Sequence, residues 1–326
     1  MTLKNRHDMA LDQPADIIIL RRMLQRRFVD RGLDAALELF SHTPGCCATL
    51  QEAMHYAVFP GGARMRPLLC TTVAHVQGAQ DLELVQAAAT AVELLHSASL
   101  VHDDLPCFDD ADWRRGRHSL HRVFGEPMAV LVGDGLMTLA FRVLAQNMTP
   151  LRAAVLAEVA QVASTMVCGQ AQEGEDDVVL NLYHHCKTGC LFESAAVCGA
   201  LCAGAPPEPW RLFGRRIGAI YQLADDVFDV VGDDEGVSKP TGRDETLGRP
   251  NYALAHGTCA ARAALDERVS ELRASLPSHG NMTPFYDWLD VLEERLHEAV
   301  TPKPRIARID QHVAAHAVRG VPRAFG

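Results

Sequence analysis

Residues 82–102 read LELVQAAATAVELLHSASLVH, an apolar stretch with no glycine or proline. Its apolar side chains recur every three or four residues, which is the period of one helix face. The same spacing recurs in residues 151–168, 209–231 and 265–276, whereas the alternation typical of strands is hard to find. Glycines and prolines fall between these segments. The sequence therefore predicts an all-α protein of about a dozen helices.

The composition is that of a globular protein. Hydrophobic residues make up 48% and charged residues 22% of the 326 positions, which is an ordinary mix for a folded domain. Lysine and arginine number 31 against 41 aspartates and glutamates, giving a net charge of −10. Binding to nucleic acid depends on basic residues that neutralise phosphates, so we expect no nucleic-acid partner.

We also expect a cytoplasmic protein with no stable membrane span. No apolar run reaches the ~20 residues that cross a bilayer. The apolar residues 17–20 are followed at once by Arg21 and Arg22, which does not suit a signal peptide. Ten cysteines without a C-x-x-C pair are typical of thiols that stay reduced.

The chain is predicted to form a single domain over residues 1–326, because no low-complexity linker divides it. Its motifs lie within about 45–300, and the ends, 1–12 and 302–326, are predicted to be loose. Residues 232–250 contain four glycines and two prolines. A segment of this length without helical pattern predicts a binding loop or lid.

The strongest functional signal is a pair of aspartate sets. In the second set, residues 221–229 read YQLADDVFD, so Asp225 and Asp229 lie one turn apart on one helix face, with Asp226 next to Asp225. The flanking residues are apolar, and the helix is therefore expected to be mostly buried. Two like charges ~5 Å apart would cost ~3 kcal/mol there. A bound cation would offset that cost.

The first set directly follows the predicted helix of residues 82–102, and residues 103–112 read DDLPCFDDAD. Asp103 and Asp109 are six residues apart, so an unbroken helix would point them in different directions. Pro106 disturbs the helical hydrogen bonds, and a break at residues 105–108 would bring Asp109 back beside Asp103. Carboxylate ligands of this kind suit Mg²⁺ that is bound together with substrate phosphates.

Arginines supply a matching set of cations. Residues 61–67 read GGARMRP, and residues 114–117 read RRGR directly after the first aspartate set. Arginine forks suit the oxygens of a diphosphate. The alternative is that these arginines pair with the aspartates. Such a network explains neither the insertion within the first aspartate set nor the glycine-rich segment, Gly61-Gly62, that precedes the arginines.

These motifs resemble the trans-prenyl diphosphate synthase family over roughly residues 45–300. Besides the two aspartate sets, the resemblance is carried by short segments in the family's order: Arg114-Arg115, Gly133-Asp134, Gly169-Gln170, Lys187-Thr188-Gly189, Lys239 and Asp244. The resemblance implies a single-domain helical bundle of the isoprenoid synthase type around a deep central cavity. It also implies a homodimer.

The resemblance assigns roles to individual residues. About two or three Mg²⁺ ions per site would be bound by six aspartates: Asp103, Asp104, Asp109, Asp225, Asp226 and Asp229. Further substrate contacts would come from Arg114, Lys187, Thr188, Gln222 and Lys239, with Lys187 and Lys239 also assigned to catalysis. Isopentenyl diphosphate would bind to Arg66, His96 and Arg115. The allylic diphosphate would ionise, be attacked by the isopentenyl double bond and lose a proton.

This chain departs from the family pattern at several positions. A typical member has lysine where Ala63 stands, and that lysine helps to bind isopentenyl diphosphate. The Gly-Gly-Ala-Arg variant resembles the synthases of purple-bacterial carotenoid pathways. Arg117-His118-Ser119 replaces a usual Lys-Pro-Thr, and Glu173 stands where aspartate is common.

Product length is predicted from Ala98 and Ser99, which occupy the positions that bound the tail pocket in this family. Five residues of helix correspond to ~7.5 Å, about one isoprene unit. Small side chains there leave room, which favours a geranylgeranyl diphosphate synthase, and farnesyl diphosphate synthase is the alternative. A non-catalytic synthase subunit would be expected to have degraded aspartate sets. A terpene cyclase would lack the pocket of Arg66 and Arg115.

Overall fold

A computed structural model describes residues 14–172, 179–231, 251–276 and 281–300. The helices, in chain order, are α1 (Pro14–Ser41), α2 (Ala48–Val58), α3 (Met65–Val76), α4 (Leu82–Asp103), α5 (Leu120–Phe124), α6 (Glu126–Leu144), α7 (Pro150–Ala171), α8 (Leu180–His184), a π-helical segment (His185–Gly189), α9 (Cys190–Cys202), α10 (Glu208–Val231), α11 (Tyr252–His256), α12 (Thr258–Ala274) and α13 (Thr283–Val300). Two short strands, β1 (Trp113–Arg114) and β2 (Arg117–His118), pair antiparallel. The prediction of an all-α fold is confirmed.

Helix α4 lies at the centre of the bundle. Its N-terminus is capped by Asp81, whose carboxylate accepts a hydrogen bond from the backbone N–H of Leu84 at 2.9 Å. The helix packs against α6, α3, α9 and α1. Leu84, Val92 and Leu94 are completely buried, each contributing ~2 kcal/mol. This packing fixes the C-terminal end of α4, where the first aspartate set begins.

The chain turns back on itself directly after α4. The backbone N–H of Asp109 donates to the carbonyl of Asp103 at 2.9 Å, and that of Asp110 donates to the carbonyl of Leu105 at 3.0 Å. The helix has ended by this point, as expected from Pro106. The break expected at residues 105–108 is therefore observed, and it brings Asp109 back to the end of α4.

Helices α9 and α10 approach each other very closely. A Cβ atom on Gly218 would lie 2.4 Å from the Cα of Gly189, and one on Gly214 would lie 2.6 Å from the Cα of Glu193. Only glycine permits this contact, because any side chain would collide with backbone. The close approach places the π-helical segment against the middle of α10, about two turns before the second aspartate set.

Three helices are long and apolar enough to cross a membrane by length and composition: α4, α6 and α7. This corrects the expectation that no stretch reaches that length. Polar residues interrupt these alanine-rich segments without lowering their average hydropathy enough to exclude them. Within the bundle, 72% of the apolar window of α4 is buried by protein, against 44% for α6 and 28% for α7. Apolar surface therefore remains exposed on α6 and α7.

Candidate active site

Three adjoining cavities lie along α4, two of them also bounded by α10, and each is named by its lining. The central cavity has a volume of about 240 Å³, the basic cavity about 360 Å³ and the apolar cavity about 320 Å³. The central and basic cavities share four lining residues: Arg66, His96, Tyr221 and Asp225. The central and apolar cavities share four others: Ser99, Asp103, Met166 and Lys187. The central cavity thus connects a charged compartment with an apolar one.

Both aspartate sets reach the central cavity. Asp103 and Asp109 line it from the end of α4, and Asp225 lines it from α10. Arg114 and Lys187 contribute positive charge to the same lining. The cavity is therefore a place where carboxylates from two directions and basic side chains meet, which is the arrangement expected from the sequence.

Asp104 takes a different direction from its neighbours. It is buried, and its carboxylate accepts hydrogen bonds from both Nε, at 2.9 Å, and Nη2 of Arg114. Burial lowers the pKa of Arg114, but the hydrogen bond to Asp104 and the negative charges of the neighbouring aspartates together outweigh that effect and raise the pKa overall. Burial raises the pKa of Asp104, and Arg114 opposes the rise. Asp104 therefore positions Arg114 at the rim of the central cavity, and its assignment as a metal ligand stays a prediction.

The second set also divides, because Asp225 lines the central cavity whereas Asp226 lines a separate cavity of about 620 Å³ together with Gln222 and Tyr252. Asp226 is buried; its Oδ1 accepts a hydrogen bond from Gln222 Nε2 at 2.9 Å, and its Oδ2 accepts one from the backbone N–H of Tyr252 at 2.9 Å. Asp229 is buried as well. Among the three aspartates of α10, only Asp225 is exposed. Asp226 ties α10 to α11, and its role as a metal ligand remains a prediction.

Lys187 and Thr188 enter the central cavity from the π-helical segment. The Lys187 Nζ lies 5.9 Å from the centre of the Tyr183 ring. A Cβ on Gly169 of α7 would lie 2.7 Å from the carbonyl carbon of Cys186, so α7 and this segment are in close contact. Single π-helical turns often occur at functional sites. Here the turn presents two adjacent side chains, Lys187 and Thr188, to one cavity.

The basic cavity contains the arginines of the glycine-rich lead-in and of the first set. Nη1 of Arg66 lies 3.3 Å from Nε2 of His96, and its guanidinium lies 4.2 Å from the centre of the Phe192 ring. Burial lowers the pKa of Arg66 and of Arg115, although a guanidinium stays charged in proteins. Burial, assisted by Arg66, holds the pKa of His96 well below its ordinary value, so this imidazole is neutral.

Tyr221 separates the central and basic cavities. Its ring stacks on Phe192 at 4.3 Å between centres. Burial raises the pKa of its phenol to about 12, while Arg66 and Arg295 act in the opposite direction. Within the described part of the chain, its buried hydroxyl finds no hydrogen-bond partner. The phenol is therefore a protonated donor available to a ligand in either cavity.

Residues 47–279 match the family described as polyprenyl synthetase. The chain belongs to the polyprenyl synthetase family. A geranylgeranyl diphosphate synthase of Cereibacter sphaeroides is 43% identical over 266 residues, covering 80% of this chain and 91% of that protein.

Solved structures share the fold of this polyprenyl synthetase. The crystal structure of a geranyltranstransferase from Thermotoga maritima has a TM-score of 0.70 at 27% identity and covers 85% of this chain and 99% of that one. A geranyltransferase from Helicobacter pylori, solved with magnesium and isoprenyl diphosphate, has a TM-score of 0.68 at 24% identity, with coverages of 89% and 99%. At 24% identity, the similarity to the Helicobacter pylori structure shows that the two chains share a fold.

The apolar cavity of this polyprenyl synthetase begins at the first aspartate set. Besides the residues shared with the central cavity, its wall is mostly apolar: Leu95, Phe108, Met137, Ala163 and Val167. Ser99 lines both cavities, whereas Ala98, one position earlier on α4, is completely buried. Ser99 therefore faces the space in which a hydrocarbon tail would lie, and Ala98 packs behind it.

The donor set suits magnesium in combination with a ligand. In the described ranges, no group of three or more histidine, cysteine, aspartate or glutamate side chains could hold a metal ion by itself. Asp103, Asp109 and Asp225 nevertheless offer carboxylate oxygens to one cavity. Mg²⁺ in proteins is commonly held by one or two carboxylates, with substrate phosphates and water as the other ligands. The residues fit an ion that a bound diphosphate would help to coordinate.

Some of the site was not anticipated from sequence. Tyr183, His184 and Tyr221 line the central cavity, and Arg295 of α13 lines the basic one. No sequence signal marks Arg295, because more than 100 positions separate α13 from the other lining segments of α3 and α4. The position of Tyr221 directly before Gln222 could have marked it. Lys239, together with the predicted lid, lies outside the described residues.

Proposed function

We propose that this polyprenyl synthetase is a prenyltransferase that condenses isopentenyl diphosphate with an allylic diphosphate. The activity that fits best is geranylgeranyl diphosphate synthase, which extends farnesyl diphosphate by one isoprene unit. One observation carries the proposal: carboxylates from two directions line a cavity that connects to a basic compartment and to an apolar one. Two diphosphates and one hydrocarbon chain need these three environments.

The allylic substrate would place its diphosphate in the central cavity and its chain in the apolar cavity. Arg114 and Lys187 would donate hydrogen bonds to the diphosphate oxygens, and Asp104 would hold Arg114 in position. Bound magnesium would supply additional charge stabilisation for the departing diphosphate. Cleavage of the allylic carbon–oxygen bond leaves the electron pair on the diphosphate and a carbocation at the end of the chain.

Isopentenyl diphosphate would bind in the basic cavity through Arg66 and Arg115. Its double bond would then point toward the shared wall at Tyr221 and attack the carbocation, forming the new carbon–carbon bond. Loss of a proton from the adjacent carbon, to the departed diphosphate, restores a double bond. Apolar walls exclude water that would otherwise trap the carbocation.

Small residues in the lining of the apolar cavity support the geranylgeranyl product. Small side chains at Ser99 and Ala163 leave space beside α4. Farnesyl diphosphate synthase remains the second candidate because bulky Phe108 and Met137 line the same cavity and would limit a longer chain. The two candidates differ in the length of the product that accumulates.

We also propose that the protein is a homodimer. The exposed side chains of α6 and α7 include Val130, Leu131 and Val167, which are 42%, 56% and 56% exposed. Large exposed apolar patches are typical of protein interfaces. Sedimentation analysis should therefore give twice the chain mass of 35.6 kDa, whereas a monomer at micromolar concentration would contradict this part of the proposal.

The function is tested by product analysis. Purified protein is incubated with Mg²⁺, labelled isopentenyl diphosphate and, in separate reactions, dimethylallyl, geranyl or farnesyl diphosphate. We expect a product of twenty carbons from each starter. A product of fifteen carbons that is not extended would favour farnesyl diphosphate synthase. No incorporation from any starter would contradict prenyl transfer.

A further inference from the structure

Helix α13 brings a cation to the basic cavity from a distant part of the sequence. Arg295 lines this cavity together with Arg66 and Arg115. It is close enough to Tyr221, on the wall shared with the central cavity, to act on the phenol electrostatically. Within the described residues, Arg295 forms no ion pair with a carboxylate. Its guanidinium is therefore available to an anionic ligand in the cavity.

The other nearby cation, Arg64, is not available in this way. Its side chain is completely buried, with Nη1 bonded to Glu93 at 2.7 Å, Nε to Asp30 at 3.2 Å and Nη2 to the carbonyl of Val58 at 2.9 Å. The residue also has a left-handed backbone, with φ of 57°. Arg64 thus joins α1, α2 and α4 around the start of α3, and its charge is balanced within the protein.

The remaining charges of the cavity fall short of what a diphosphate needs. Arg66 and Arg115 are the other two arginines of the lining, and His96 is neutral. Asp225 contributes a negative charge to the same lining, as does Glu93, which is paired with Arg64. Ala63 lies two residues before α3 and contributes only a methyl group. A diphosphate carries several negative charges on both phosphates. A third cation in this cavity would therefore improve binding substantially.

We propose that Arg295 binds the diphosphate of isopentenyl diphosphate in the basic cavity, beside Arg66 and Arg115. It supplies from α13 the positive charge that Ala63 does not supply from α3. This role rests on the proposed function, since it concerns the second substrate of that reaction. Arg295 is a binding residue for one substrate, and the allylic diphosphate in the central cavity is bound without it.

The test compares KM values for the two substrates in the full-length protein. In Arg295→Gln, the KM for isopentenyl diphosphate should rise about tenfold, which is the effect of losing one charge-assisted hydrogen bond in a partly exposed site. The KM for farnesyl diphosphate should stay within about twofold of the wild type. Arg295→Lys should keep most of the affinity because the charge remains. The double variant Ala63→Lys with Arg295→Gln should regain much of the lost affinity.

Arg216→Gln is the matched control. Arg216 is exposed on α10 and lines none of the described cavities. Its replacement removes the same charge without changing the basic cavity. An unchanged KM for isopentenyl diphosphate in Arg295→Gln would overturn the proposal. Equal increases for both substrates, or the same increase in Arg216→Gln, would also overturn it, since they indicate a general effect. Wild-type turnover, measured in parallel, separates the outcomes: an inactive wild type contradicts the proposed function, whereas an active wild type with unaffected Arg295→Gln contradicts only this role.

Discussion

The two aspartate sets present similar chemistry from two very different backbones. The first set begins at the last residue of α4 and depends on a chain that turns back, with the N–H of Asp109 bonded to the carbonyl of Asp103. The second lies on the unbroken helix α10. In both sets one member faces the central cavity while its neighbour is buried: Asp103 beside Asp104, and Asp225 beside Asp226.

The difference lies in what each buried member holds. Asp104 bonds to the side chain of Arg114, which itself lines the central cavity, so the first set adds a positioned cation to the site. Asp226 bonds to Gln222 and to the backbone of Tyr252, so the second set joins α10 to α11. Adjacent aspartates in a motif therefore need not have the same function. One faces the ligand, and the other fixes the surrounding structure.

The largest predicted effect concerns the cavity-facing carboxylates. Asp225→Ala should lower turnover by about 100-fold or more, corresponding to several kcal/mol of transition-state stabilisation, because a metal-binding carboxylate is lost. Steady-state kinetics at saturating Mg²⁺ measure this. Asp266→Ala, an exposed aspartate on α12, is the control and should retain wild-type turnover. Near-normal turnover in Asp225→Ala would remove this residue from the metal set.

The next prediction separates the buried member from the cavity-facing member of the first set. Asp104→Asn should lower the free energy of unfolding by about 2 kcal/mol, because Arg114 is left as a poorly compensated cation. Asp103→Asn should reduce turnover strongly but leave the stability close to that of the wild type. Urea unfolding of both variants provides the measurement. Equal losses of stability would show that the two aspartates do not differ in the way described.

The third prediction concerns side-chain size on the face of α4 just before the first set. Ser99→Tyr should shorten the product to fifteen carbons, because its ring would occupy the apolar cavity beside α4. Ala98 is buried behind Ser99, so Ala98→Tyr would place its ring in the packed core and should mainly lower stability. Ser99→Thr, with a much smaller change, should leave the product unchanged. Product chain length is measured by chromatography. If Ser99→Tyr still releases the wild-type product, the end of the tail pocket lies elsewhere.

The smallest effect is expected in the pH dependence of stability. Burial and the nearby arginines hold the pKa of His96 well below its ordinary value. Below about pH 6.5 the unfolded chain takes up a proton at this position and the folded protein does not, so stability falls as the pH falls. His96→Asn should lose less free energy of unfolding between pH 7 and pH 5 than the wild type. Identical losses in urea titrations would mean that His96 does not stay neutral.

The sequence predicts the second set better than the first for a physical reason. Asp225 and Asp229 lie on a regular helix, whose period gives side-chain directions directly, although it does not show that Asp229 is buried. For the first set, Pro106 predicts a break but not the hydrogen bond from Arg114 that turns Asp104 away. The direction of Asp104 depends on a contact across ten residues, which no local pattern encodes.

Contacts between distant segments explain the rest of what sequence missed. The membership of Arg295 in the basic cavity depends on how α13 packs against α3 and α10. The π-helical turn at Lys187 is closely packed by glycines of two different helices. Gly169 of α7 lies against Cys186, and Gly218 of α10 lies against Gly189. Glycines at such positions can suggest close packing, but the partner helix becomes known only from the fold.

The central claim is that both aspartate sets act on one diphosphate across the central cavity. A crystal structure with Mg²⁺ and a thio analogue of farnesyl diphosphate that cannot ionise tests this most directly. We predict a single diphosphate in the central cavity, joined through magnesium to Asp103 or Asp109 on one side and to Asp225 on the other, with its chain in the apolar cavity. A diphosphate bound to one set alone, or with its chain directed to solvent, would contradict the account.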